Sequence, residues 1–66
     1  MTKQAIYQFM EAQCHTARMM GYKLKLWSVE DGHCWQWKGP NGISEIGHTS
    51  AHTKGVALWC ALQAIF

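Results

Sequence analysis

The stretch YKLKLWSVEDGHCWQWKGPNG, Tyr22 to Gly42, decides the fold. Its first half alternates. Tyr22, Leu24, Leu26 and Ser28 point one way, and Lys23, Lys25, Trp27 and Val29 point the other, which predicts a strand over Tyr22–Glu30. Asp31-Gly32 is a two-residue hairpin signal, because such a turn needs positive φ at both central positions. Counting outward from it, Glu30 faces His33, Ser28 faces Trp35, Leu26 faces Trp37 and Lys25 faces Lys38. Opposed residues share a face of the sheet. Tyr22, Leu24, Leu26, Trp35 and Trp37 then make an apolar face, and Lys23, Lys25, Trp27, Cys34, Gln36 and Lys38 make the other.

Gly39-Pro40-Asn41-Gly42 reads as the next turn, with proline at its first corner and Gly42 free to take positive φ. A third strand is predicted over Ile43–His48, with its register open because Ile43 and Ile46 fall on opposite faces. Ahead of the hairpin, Thr2 can cap a helix running to about Met20, which Gly21 stops. Ile6, Phe9, Met10, Cys14, Ala17 and Met20 form its apolar stripe, into which Gln13 intrudes. After the third strand, Thr49 or Ser50 can cap a last helix that is apolar almost all round from Val56 onward. Val56, Trp59, Cys60 and Phe66 lie on one side, and Leu58, Ala61, Leu62 and Ile65 on the other. The expected architecture is α+β, a helix, a three-stranded antiparallel sheet and a helix (αβββα), in one domain over residues 1–66. Both helices should cover the Leu24/Leu26/Trp35/Trp37 face and leave the lysine face open.

Chain length sets the energetics. A 66-residue domain buries only about 60% of its unfolded surface, so large aromatics are an efficient core. Four Trp, two Tyr and two Phe fit that need, with Trp35 and Trp37 expected inside and Trp27 at least partly outside. A helix apolar on two sides needs cover on both. Either the first helix supplies the second cover or a second copy of the chain does, which predicts a homodimer through the C-terminal helix. The three cysteines are odd in number and the start, MTKQAIYQFM, is polar, so an intracellular, cytoplasmic chain with reduced thiols is expected. The longest apolar run, VALWCAL, is far short of the roughly 20 residues that span a bilayer, so no membrane role is expected.

Two places could meet a ligand. Lys23, Lys25 and Lys38, with Trp27 and Gln36 among them, could bind phosphates and stack on a base; the plainer reading is a solvated sheet face with lysines shielding apolar neighbours. In IGHTSAHTKG, free backbone N–H groups at a helix start beside His48, His52, Thr53 and Lys54 could hold an anion; ordinary capping is the alternative. The His and Cys residues lack zinc spacing, and His33 and Cys34 should point to opposite faces, so no metal or other cofactor is expected. The four carboxylates, Glu11, Glu30, Asp31 and Glu45, form no catalytic constellation, Glu45 being placed to pair Lys38 across the strands; a non-enzymatic role is expected.

The order helix, three strands, helix resembles the double-stranded-RNA-binding domain. GHTSAHTKGVALWCALQAI is similar to that family's small-residue last helix, with Gly47 before it, Lys54 in its first turn, and Ala57, Cys60, Ala61 and Ala64 at the small positions. The family sets a lysine cluster at that helix start; here Lys54 stands with Ser50, His52 and Thr53. The resemblance implies binding through the first helix's wet face and the region of His52 and Lys54. The net charge of +2 permits a phosphate partner without demanding one. Two functions follow as expectations. One is a small nucleic-acid-binding accessory protein using Lys23, Lys25, Trp27, Gln36 and Lys38, or His52 and Lys54. The other is a protein-binding or inhibitor module, of the kind phages and prophages encode, acting through the apolar last helix and exposed tryptophans.

Overall fold

The computed structural model describes residues 2–42 and 44–66. It has the αβββα order: α1 (Lys3–Met19), β1 (Lys23–Val29), β2 (Gly32–Lys38), β3 (Ser44–Thr49) and α2 (Lys54–Gln63). The strands form one antiparallel sheet in the order β1-β2-β3, as consecutive hairpins require. Residues from both helices and from β2 meet in one core: Met10 and Ala17 of α1, Trp35 and Trp37 of β2, and Ala61 and Leu62 of α2. Tyr22, Leu24 and Leu26 pack against it from the same sheet face. The other face carries no helix, so the protein is a plate of 33 × 29 × 14 Å.

Local sequence accounts for the ends of α1. The Thr2 hydroxyl accepts a hydrogen bond from the Ala5 N–H at 3.1 Å, satisfying one of the helix's free donors. At the other end Gly21 has φ of 89°, and the Gly21 and Tyr22 N–H groups donate back to the Arg18 and Ala17 carbonyls. That is a Schellman stop, which a residue with a Cβ enters only with strain. On the apolar stripe Met10 and Ala17 are buried and Ile6 and Cys14 half-buried, whereas Phe9 and Met20 are exposed. Gln13 faces α2, where the Gln63 side-chain amide donates to its oxygen at 3.4 Å.

The first hairpin keeps its predicted faces but not its predicted register. Leu24 lies opposite Trp37, Leu26 opposite Trp35, Ser28 opposite His33 and Val29 opposite Gly32, so the turn is Glu30-Asp31. Lys25 therefore faces Gln36, and Lys38 faces Lys23. Both the sequence signal and the structure give Gly32 positive φ, but for different reasons. Gly32 has φ of 138° inside β2, and a Cβ there would stand 1.9 Å from the Thr49 carbonyl oxygen. The glycine answers a close approach of β3, which a local turn motif does not encode. A slip of two residues leaves every side chain on its own face, because the strand repeat is two.

The Gly39–Gly42 turn forms as expected, with the Gly42 N–H donating to the Gly39 carbonyl and Gly42 at φ 78°. The expected strand start at Ile43 lies outside the described residues. From Ser44 the register is fixed: Ser44 faces Lys38, Glu45 faces Trp37, Ile46 faces Gln36, Gly47 faces Trp35, and His48 faces Cys34. Glu45 is thus on the opposite sheet face from Lys38, and the pairing predicted between them does not form. Gly47 has a packing reason: a Cβ there would lie 2.2 Å from the Trp35 indole, which rests on its backbone.

The cap of α2 is Thr53, whose hydroxyl accepts from the Val56 N–H, in place of Thr49 or Ser50. Thr49 stays in β3 opposite His33, and its hydroxyl accepts from the Ala51 N–H instead. The helix ends at Gln63, short of the C-terminus. It buries Ala57, Ala61 and Leu62 and leaves Val56 and Trp59 exposed. No described helix is long and apolar enough to cross a membrane.

Candidate functional site

The open sheet face is laid out by the register in three rows. Lys23, Lys38 and Ser44 form the first, Lys25, Gln36 and Ile46 the second, and Trp27, Cys34 and His48 the third. The structure thus brings Lys23, Lys25, Gln36 and Lys38 together at one end. Trp27 stands a row beyond Lys25, about 7 Å along the strand. It is 40% exposed, in contrast to Trp37 at 2%. Ile46 is more exposed still, at 70%. No strand position of this face carries a carboxylate among the described residues. Asp31, from the turn, lies 3.3 Å from His48 at the end away from Lys23 and Lys38. Both partners of that pair are exposed, so it contributes little.

Arg18 was missed in the sequence. It lines a hollow of about 430 Å³ together with Lys23, Gly21, Tyr22, Leu24, Cys14 and Trp37. The Gly21 stop brings the end of α1 and the start of β1 to this hollow, which Leu24 and Trp37 place on the helical side of the sheet. The signal was the sequence Arg18-Met19-Met20-Gly21-Tyr22-Lys23, a helix stop flanked by cations. With Arg18, four of the six Lys and Arg residues gather at one end of the plate. Pro40 of the second turn packs at Gly21 and closes that end.

His52 and Lys54 do not join this array. His33 points to the helical side, where its Nδ1 donates to the Ala51 carbonyl at 2.8 Å and its Nε2 meets the Ser28 hydroxyl at 3.2 Å. The link from β3 to α2 is therefore tied to the covered side of the sheet. His33, only 6% exposed, is a core residue rather than a candidate ligand. All three cysteines are free thiols. No three His, Cys, Asp or Glu side chains come close enough to hold a metal ion among the described residues.

The helical layer carries a second feature. Lys3, Ile6, Tyr7 and Met10 of α1 and Thr53, Gly55, Val56 and Trp59 of the α2 start line an open groove of about 610 Å³. Phe9 lies against Trp59 with ring centroids 5.9 Å apart. No family model, curated protein or solved structure matches the chain.

Proposed function

We propose that the protein is a small, non-catalytic nucleic-acid-binding protein that meets phosphates with the lysine end of its open sheet face. The observation that carries this reading is the placement of Lys23 directly opposite Lys38, with Lys25 on the same face and no carboxylate in the rows. Like charges directly opposed across two strands are destabilising. Lysines on a sheet edge discourage edge-to-edge pairing, but Lys38 is on the central strand, where there is no edge to protect. An anionic partner removes the repulsion and accounts for the arrangement. Gln36 adds a donor and acceptor between the lysines, and Trp27 offers a ring on which an unpaired base could stack. A second reading, a phage-type protein-binding module, is favoured by the exposed Val56 and Trp59 and the groove beside them.

Titration of labelled duplex DNA, duplex RNA and single strands at low salt separates the modes. The Lys23→Ala/Lys38→Ala variant should bind more weakly, with the salt slope on duplex DNA reduced by about 0.9 for each phosphate that the missing lysines no longer neutralise. Lys54→Ala should bind like wild type. Weakening confined to Lys54→Ala rejects the sheet mode in favour of the helix-start mode implied by the double-stranded-RNA-binding resemblance. No binding by wild type rejects the nucleic-acid reading altogether.

A further inference from the structure

Three side chains on the wet side of α1 repeat at intervals of four: Lys3, Tyr7 and Glu11. Residues four apart are neighbours on a helix surface, so the three make one stripe, positive, aromatic and negative in turn. All three are exposed and line one shallow hollow with Gln4 and Gln8. Tyr7 also lines the apolar groove, and its hydroxyl end reaches the start of α2 at Gly55. We propose that this face binds a second copy of the chain, with the two α1 helices antiparallel about a two-fold axis at Tyr7.

The stripe is self-complementary in that arrangement. A two-fold interface sets residue i of one copy against residue j of the other, and j against i. Centred on Tyr7, it brings each Lys3 to the partner's Glu11. The electrostatics of α1 favour the same match. Its first turn contains no acidic residue and begins with Lys3, the wrong sign for the positive end of a helix dipole. The partner's Glu11 supplies the missing negative charge.

The exposed area suits a core contact between copies. Tyr7, Trp59 and Val56, which line the groove together, are 47%, 38% and 51% exposed. At about 200 Å² per aromatic side chain, the two rings alone leave roughly 170 Å² of apolar surface in water. A stable interface covers about 800 Å² per partner with an apolar centre and a polar rim. The rings and Val56 provide the centre, and Lys3, Gln4, Gln8 and Glu11 provide the rim. The contact lies on the helical layer, so both lysine faces remain open.

Sedimentation equilibrium at micromolar concentration tests the arrangement. Wild type should sediment at twice the 7.5 kDa chain mass. Lys3→Glu and Glu11→Lys should each weaken self-association by roughly tenfold or more, since each replaces two attractions by two repulsions. Lys3→Glu also places a negative charge at the helix start, which favours folding, so a weaker dimer in that variant does not reflect a weaker helix. Mixing the two variants in equal amounts should restore a dimer, because one chain then carries both negative charges and the other both positive. A wild type that stays at 7.5 kDa overturns the proposal. So does a pair of variants that dimerise as wild type does, or a mixture that remains monomeric.

Discussion

At the scale of single residues, two tryptophans on one strand do different work. Trp37 Nε1 donates a hydrogen bond to the Ala61 carbonyl, joining the centre of the sheet to α2. Trp35 is equally a core residue, but its indole N–H has no hydrogen-bond partner among the described residues and its ring rests on Gly47. Breaking a hydrogen bond in a core costs about 1 kcal/mol, while removing an unpartnered buried donor relieves a desolvation penalty. Trp37→Phe should therefore destabilise the protein more than Trp35→Phe, by about 1–2 kcal/mol, since both remove the same volume. Urea denaturation followed by circular dichroism checks the order, and an equal or reversed order contradicts these assignments. The sequence showed that both tryptophans are core, because they share the parity of Leu24 and Leu26. It could not show which one bonds to α2, since the partner lies 24 residues away. His33 has the same parity as the tryptophans, and its burial was legible from that alternation once its place in the strand was fixed.

At the scale of elements, what was legible is what local chemistry sets. Thr2 and Gly21 bound α1, and Pro40 and Gly42 make the second turn, each by an interaction spanning a few residues. What was misread depends on β3. Gly32 resembles a turn glycine, yet it is required by the Thr49 carbonyl, 17 residues on. The start of α2 was expected at Thr49 or Ser50, each a good cap by type, and lies at Thr53 instead. The choice is made by the pairing of Thr49 with His33, which keeps Thr49 in the sheet and moves the helix start onward. Thr53→Ala should then cost about 1 kcal/mol, the usual value of an N-cap, and Ser50→Ala should be near neutral. Thermal melts of the two variants decide it: a larger destabilisation by Ser50→Ala contradicts the observed helix start. The open face survived the error in turn position because the slip was even. An odd slip would have moved Lys23 and Lys25 to the covered side, and the candidate site would have vanished.

At the scale of the whole molecule, a two-layer plate leaves each layer with one free surface. The sheet's free surface gathers cations at one end, and the helices' free surface gathers aromatic rings beside the Lys3–Tyr7–Glu11 stripe. The two are on opposite sides, so a dimer through the helices would present two lysine faces outward. Linked sites of this kind raise the strength of binding to a long polyanion without any new contact, provided both can reach it at once. The candidate cations were legible as a set from strand alternation alone, whereas Arg18 reaches their end of the plate only through the turn at Gly21. The groove was half legible: the exposed side of α2 follows from its all-round apolar pattern, but the contribution of Tyr7 depends on how α1 lies against Gly55.

Nucleic acid is proposed to bind at the lysine end of the open sheet face. Backbone amide and tryptophan indole chemical shifts, followed by NMR as a short duplex is added at low salt, test it most directly. Shifts should concentrate at Lys23, Lys25, Gln36, Lys38 and the Trp27 indole and fade as salt is raised, with His52 and Lys54 little changed. Shifts concentrated at His52–Lys54, or none on the open face at any salt, would contradict it.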